Sequence, residues 1–443
     1  MTIPVEVARF LSEKRARKSA KRRAKQWKSL QRSREYQARA ANSFGEQSKI
    51  IRMMADGYSG QSPVISKGAL SYRIPQVFSI IDAPEQAIAG VGQFASAIRS
   101  NRIRRFFLDH SGLQVYDLAA NGLLDLIAVE LGMEARRNKR KIRWSGRYPA
   151  DAHIRRFIQA LGIIRHLELE HEYPPPDEAA RLRVFDKRSR HYFELEPPDR
   201  ADFKSKVVQQ FADHIQMCLA DAKRSLTPLA RHKLCEYTGE ILDNAQEHAD
   251  MHDWTIQGYL DNSLATPICE IAIFNFGLTI AETLEALPKT SYTWNQISKY
   301  IVQHKRRRWF GTNWTERDLL TLVALQGHVS SKNKSENDTR GNGTVDLIEF
   351  FQQVHQECSD EGEIPARMAI LSGNSHILFD GRYRLAQSDN QGPKIIAFNP
   401  ANDLNQRPDP AYVKSLGGVG FPGTIISIRF PLSITSIKEA NHA

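Results

Sequence analysis

Cysteine is scarce in this chain of 443 residues: there are four, at positions 218, 235, 269 and 358, far apart and with no C-x-x-C pair. That excludes a disulfide framework and a structural zinc site of the usual spacing, and it predicts a reducing, cytoplasmic setting. Long apolar runs are also missing. No stretch of 18 or more apolar residues occurs, so no membrane-spanning helix is expected. The most apolar segment, GLLDLIAVELGM (122–133), carries Asp125 and Glu130 and reads as a buried helix. The first residues lack the apolar core of a signal peptide. The 14 histidines include no H-E-x-x-H and no cluster at metal-ligand spacing.

The composition that remains, 41% hydrophobic and 25% charged, is that of a folded globular body. At roughly 100–200 residues per domain, the length predicts two to four domains. The net charge of +11 is concentrated at one end, because the first 39 residues carry +10 and the other 404 sum to +1. Residues 14–39 hold twelve Lys or Arg and a single acid, Glu35, with no Pro or Gly. Such a composition predicts a basic, helical N-terminal arm over residues 1–40. Either it is a solvated tail or it grips an anionic partner. Nucleic acid suits it better than a membrane, because it lacks the apolar face of an interfacial helix. Two smaller basic clusters lie at 135–143 and 304–309.

Along the chain, residues 41–75 read as a poorly ordered connector with scattered Gly, Ser and Pro. From 76 to 170 strand-like and helix-like segments alternate: QVFSII, APEQAIAGVGQFASAIRS, IRRFFLDHSG, AANGLLDLIAVELGMEARR, RKIRWSGRYP and ADAHIRRFIQALGII. A β-α-β-α-β-α order predicts an α/β sandwich. Residues 171–200, with paired prolines and mixed charge, read as a linker or hairpin. From 201 to 443, two long helices, two strands, an insertion over 280–340, a helix and three more strands predict an α+β sandwich. His171 opens an H-E-x-x-x-P pattern, but prolines at 174–176 forbid the long helix that a phosphoacceptor histidine of that pattern needs.

Four separated segments of the second region carry polar residues suited to a nucleotide. Glu240 and Asn244 stand four apart in a helical stretch and share a face; a carboxylate and an amide oxygen there suit a water and a Mg²⁺ ion, which keeps several waters and takes oxygen ligands. Asn275, Gly277 and Thr279 follow a strand. Gly341, Gly343 and Thr344 lead into a helix, whose free N–H groups suit phosphates. Gly423 and Thr424 open the last strand.

In this order the segments resemble the boxes of the GHKL ATPase superfamily, the family of gyrase, Hsp90, histidine kinases and MutL. The resemblance covers about 202–432 and implies a Bergerat-type α+β sandwich that binds ATP and Mg²⁺. It gives Glu240 the role of polarising the attacking nucleophile, Asn244 that of metal ligand, and Thr424 a water-mediated contact to adenine. The second box departs from D-x-G-x-G: Asn275 stands where the family has an adenine-binding Asp, and Thr279 where it has a second Gly. The insertion over 280–340 corresponds to an ATP lid, in which Lys332 or Arg340 reaches the γ-phosphate. The stretch around Glu240 is closest to that of anti-sigma-factor serine kinases, and residues 76–170 resemble the STAS domains on which those kinases act. The position of the STAS acceptor serine reads Asp117-Leu118-Ala119-Ala120, without a hydroxyl, so a docking or regulatory role is expected for that domain. The expected function is an ATP-hydrolysing switch acting on the STAS-like domain, a protein partner or a second copy. The alternatives are a serine/threonine protein kinase, or a scaffold with a degenerate nucleotide site that binds nucleic acid through residues 14–39.

Overall fold

In the computed structural model, residues 48–60, 65–66, 68–100, 103–166, 172–189, 203–221, 223, 225–248, 254–327, 329, 342–358, 365–387 and 394–432 are described. The basic arm lies outside them. The N-terminal region comprises α1 (Lys49–Asp56), β1 (Ile65–Ser66), β2 (Ala69–Arg73), β3 (Val77–Phe78), α2 (Pro84–Ser100), β4 (Arg105–Asp109), β5 (Val115–Tyr116), α3 (Leu118–Arg137), β6 (Arg143–Arg147), α4 (Ala152–Ala160), α5 (Ile163–His166) and α6 (Pro176–Ala179). After it come β7 (Leu182–Arg188), α7 (Phe203–Asp221), α8 (Pro228–His248), β8 (Trp254–Asp261), β9 (Ile268–Phe276), α9 (Ile280–Glu285), α10 (Tyr292–Arg306), α11 (Glu316–Ala324) and α12 (Asn342–Cys358). The chain closes with β10 (Arg367–Gly373), β11 (Ser375–Phe379), β12 (Ala386–Gln387), β13 (Lys394–Ile395), β14 (Val413–Ser415) and β15 (Phe421–Pro431). Mixed α/β architecture is thus present in both regions. Among the described residues no helix is long and apolar enough to cross a membrane.

The first sheet runs β1-β2-β4-β6, with β2, β4 and β6 parallel and β1 antiparallel to β2. Parallel neighbours need crossovers, which α2 and α3 supply. The second sheet has seven strands in the order β14-β11-β10-β15-β9-β8-β7, all antiparallel. Strand alternation sends its side chains into two different cores. Ile271, Ile273, Ile426, Ile428, Met368 and Ile370 pack with α7, α8, α11 and α12. Ala272, Phe274, Phe276, Ala369, Leu371 and Ile425 pack with α1, α2 and α3 of the first region. The molecule is therefore layered: the first sheet, its helices, the seven-stranded sheet and a second helical layer. Contact with the back of the large sheet is close at Gly122 of α3, where a Cβ would fall 2.0 Å from Gln257 Oε1 and 3.2 Å from the Phe274 ring.

Three boundaries differ from the sequence reading. Residues 41–75 are not a loose connector from Ser48 onward. The Ser48 hydroxyl accepts from Ile51 N to cap α1 and donates to Glu130 at 2.7 Å, while Ile50, Ile51 and Met54 are buried. The strand ALSYR hides in the same stretch; its period-2 pattern puts Leu70 and Tyr72 inward and Ser71 and Arg73 outward. QVFSII yields only the two-residue β3. Residues 171–200 are not simply a linker either, since Leu182–Arg188 pairs with β8 and forms one edge of the seven-stranded sheet. Its alternating charges suit an edge and obscured it in the sequence. The third difference is the insertion over 280–340. Its part from 280 to 327 buries Ile297, Ile301, Trp314, Leu319, Leu320, Leu322 and Val323 in the sheet's own core. Trp314 Nε1 donates to His304 Nδ1 at 3.2 Å, and His304 Nε2 meets Leu404 O at 3.0 Å. This part of the insertion is thus built into the core, and the expected lid residues Lys332 and Arg340 lie outside the described residues.

The interdomain contact includes His376 of β11, whose Nε2 lies 3.0 Å from Ile80 O. Burial pulls its pKa down to about 3, helped by Lys414. A histidine kept neutral in the fold but free to protonate when unfolded stabilises the fold above its unfolded pKa. That stability is lost as pH falls through the window from about 6.5 to about 3. The expected slope approaches ~1.4 kcal/mol per pH unit for this one group. Urea titrations between pH 4.5 and 7 should show a shallower pH dependence in His376→Gln; an unchanged slope would exclude this histidine as a source of acid sensitivity.

Candidate functional site

Topology brings the predicted segments to one end of the seven-stranded sheet. In register, Ser372 of β10, Thr424 of β15, Asn275 of β9 and Trp254 of β8 form one cross-sheet row. All four share the face that carries Ile273, Ile426 and Ile370 toward the second helical layer. Helix α8 leads into β8 at Trp254, so its last turns, with the backbone of Glu240 and Asn244, lie at this end. Helix α12 leads into β10 at Arg367, the far end, so its N-terminus, with Gly343 and Thr344, begins at this end. The two helices pack against one another. Glu240 and Asn244 are both within α8, one turn apart; their side chains lie outside the described residues, as do Lys332, Arg340 and Gly341.

The polar row is wired internally. Thr424 N donates to Asn275 Oδ1 at 2.8 Å. Because only an oxygen can accept that bond, the orientation of the Asn275 amide is determined, and its NH₂ is turned to the other side. Ser372 Oγ accepts from Ile280 N at 2.9 Å, reaches Gly423 O at 3.2 Å and lies 2.9 Å from Thr424 Oγ1. A hydroxyl has one proton and two lone pairs. The arrangement that satisfies all three contacts has Ser372 donating to Gly423 O and accepting from Ile280 N and the Thr424 hydroxyl. Among the described residues two groups then have no further partner: the Asn275 NH₂, a donor, and the lone pairs of Thr424 Oγ1, an acceptor. Both residues are half-buried. Gly423 makes the close approach possible: its φ is +140°, and a Cβ there would sit 2.0 Å from Asn275 O.

Other predicted residues have different roles. Thr279 is 7% exposed and caps α9; its Oγ1 accepts from Glu282 N at 3.1 Å while Thr279 N donates to Glu282 Oε2 at 2.9 Å. This capping box is what the structure shows for the Thr279 hydroxyl, expected from the sequence to face the ligand: it starts α9. Gly277 continues the turn out of β9, its N–H bonded to Pro422 O at 3.1 Å. Ser372 was not a sequence candidate. The signal was present, since Met368, Ile370 and Ser372 occupy successive inward positions of β10 and only the last is polar. Among the described residues no three His, Cys, Asp or Glu side chains gather to hold a metal.

A separate cavity of about 170 Å³ opens at the carboxyl ends of β4 and β6, lined by His110, Asn121, Asp125, Trp144 and Tyr148. Burial pushes the Asp125 carboxyl up to about 7 and holds His110 down near about 4. Asp125 is spent on structure: Oδ1 accepts from Ile163 N at 3.0 Å to start α5, and Oδ2 from Asn121 Nδ2 at 2.8 Å. The other end of α3 is sealed. Asp117 is fully buried and accepts from Ala120 N, Ile81 N and Ser79 Oγ, while Leu118 N donates to Glu270 Oε2 at 2.6 Å. Glu270 alternates with Ile271 and Ile273 along β9 and so faces the back of the sheet, away from Asn275. Compared with protein-family models, curated proteins and solved structures, the chain gives no match.

Proposed function

We propose that this chain binds Mg·ATP at the end of the seven-stranded sheet, between that sheet and helices α8 and α12, and hydrolyses it. The observation that carries the reading is the pair of unspent groups on Asn275 and Thr424. A donor beside an acceptor complements the edge of adenine, whose N1 accepts and whose 6-amino group donates. Asn275 Nδ2 would serve N1, and Thr424 Oγ1 the amino group. The Asn in place of the family's Asp thus leaves a matched contact of lower charge. The first-turn N–H groups of α12, at Gly343 and Thr344, suit phosphate oxygens. Asn244 is the residue that would hold Mg²⁺, which when bound would supply charge neutralisation for the phosphates. Glu240 orients the attacking water and takes its proton as general base. Lys332 and Arg340, which the resemblance assigns to the γ-phosphate, lie outside the described residues.

For the kinase alternative, the helix start where a STAS substrate carries its serine holds Asp117, buried on the opposite face of the sheet, so that position offers no acceptor hydroxyl. Water is the acceptor in this reading, and the domain packed on the back of the sheet would respond to nucleotide through β9 and β15. Glu240→Ala is expected to lower ATP turnover by about 10²–10⁴-fold while leaving Mg·ATP binding within a few-fold. Turnover equal to wild type would remove Glu240 from the mechanism, and transfer of γ-phosphate label to another protein would favour the kinase.

A further inference from the structure

The outer face of the first sheet carries a regular array of arginines around one aromatic ring. Cross-strand register gives three rows: Ala69–Arg105–Arg143, Ser71–Phe107–Ser145 and Arg73–Asp109–Arg147. The inward residues between them, Leu70, Phe106, Trp144, Tyr72 and Leu108, pack toward the helices. Arg73, Arg105, Arg143 and Arg147 are exposed, and the rows stand about 7 Å apart along the strands. Phe107 is half-buried, and its cross-strand neighbours are two exposed serines, so the ring is flanked by small groups. At the amino ends of β4 and β6, where Arg143 N bonds Arg104 O at 2.9 Å, the exposed Arg104, Arg136, Arg137, Lys139 and Lys141 extend the positive surface. The only acid within the array is Asp109, held below the usual carboxylate range by Ser111 and, more weakly, by Arg147 and Arg73.

Charge is divided accordingly. Residues 48–166 hold 18 Lys or Arg against nine Asp or Glu, whereas residues 167–443 hold 30 against 37. The positive field therefore belongs to this domain and to the basic arm that precedes it. We infer that the outer face of β2, β4 and β6 binds single-stranded nucleic acid, its arginines taking phosphates and Phe107 stacking a base. Guanidinium groups pair phosphate oxygens in bidentate fashion, and an aromatic ring amid a basic surface is the platform that single strands use. The inference stands independently of the nucleotide site.

The test is fluorescence anisotropy of the full chain with a 20-nucleotide DNA and an RNA of matching sequence, from 50 to 200 mM salt. The triple variant Arg73→Gln/Arg143→Gln/Arg147→Gln removes up to three phosphate contacts. It should flatten the slope of log K against log salt by about 2 and weaken binding at least tenfold at 100 mM salt, at roughly −0.7 per contact. Phe107→Ala should cost about tenfold without changing that slope. Arg306→Gln/Arg307→Gln/Arg308→Gln, with the same charge change elsewhere, should bind within about twofold of wild type. Unaltered thermal unfolding confirms that the exposed substitutions leave the fold intact. Any one of four results overturns the inference: no binding by wild type at 50 mM salt, a wild-type slope in the first triple variant, equal losses in both triple variants, or polyglutamate bound as tightly as the oligonucleotide with no dependence on Phe107.

Discussion

Arg429→Ala should unfold at a temperature lower by roughly 6–20 °C, the equivalent of about 3–5 kcal/mol for breaking a buried charge network. Arg429 reaches through the back of the large sheet at β15. Its guanidinium lies 3.5 Å from Glu270 Oε1 and 3.9 Å from Asp82 Oδ2, and it donates to Tyr116 O. Glu270 and Asp117 are both buried. Desolvation raises the pKa of each, and Arg429 opposes that shift in both. Without the arginine, two carboxyls at the domain junction must either protonate or stay charged with no counter-ion. The sign with pH follows. A carboxyl whose folded pKa lies above its unfolded value binds more protons when folded, so its stability contribution is lost as pH rises. The defect in Arg429→Ala should therefore be larger at pH 8 than at pH 5. A second substitution, Glu270→Gln, should recover part of the loss through coupling of about 0.5–3 kcal/mol. Calorimetry of wild type, both single variants and the double variant measures this, and a melting temperature unchanged in Arg429→Ala would mean that the network does not hold the domains together.

Saturating Mg·ATP is expected to raise the unfolding temperature of the wild-type chain. At 100 times Kd, binding adds about 2.7 kcal/mol, or roughly 5–11 °C for a unit near 230 residues. Asn244→Ala should lose that rise and keep the ligand-free melting temperature. Asn275→Leu should lose the rise too, but for a different reason and with a different baseline. It removes the acceptor of the Thr424 N–H bond as well as the free amide donor, so the ligand-free protein should also be destabilised by about 1–3 kcal/mol. A shift retained in Asn275→Leu would place the base elsewhere. No shift in wild type at millimolar Mg·ATP would overturn the proposed function and leave the scaffold reading.

Much of the second region was legible because its elements are long and regular. Helices α7, α8 and α12 and strands β8, β9, β10, β11 and β15 lie where periodicity put them. The elements that escaped were short or sat at edges. ALSYR is five residues long, and RLRVFDKR is so charged that its period-2 pattern was masked; yet pairing with β4 and β8 makes both of them strands. Strand formation there depends on a neighbour's free edge, which a local reading does not contain. The insertion was misjudged for a related reason. An amphipathic helix looks the same whether its apolar face covers a ligand or fills a core, and only the burial of Trp314, Leu320 and Val323 distinguishes the two.

At the candidate site, the sequence by itself determined which residue types were available: a Glu and an Asn one helical turn apart, an Asn closing a strand, glycines before a helix and a Gly-Thr pair opening the last strand. The tertiary structure decided how they are used. It aligned Asn275, Thr424 and Ser372 in one row, because antiparallel register places residues some 50 to 150 positions apart side by side. It turned the Asn275 amide by giving Thr424 N–H only one possible acceptor, and it spent Thr279 on a helix cap. It also set the N-terminal domain on the opposite face of the sheet, since alternate side chains of β9 leave in opposite directions and each apolar set needs its own cover. Composition and spacing are local properties; which face a side chain occupies, and which hydrogen bond consumes it, are properties of the assembled sheet.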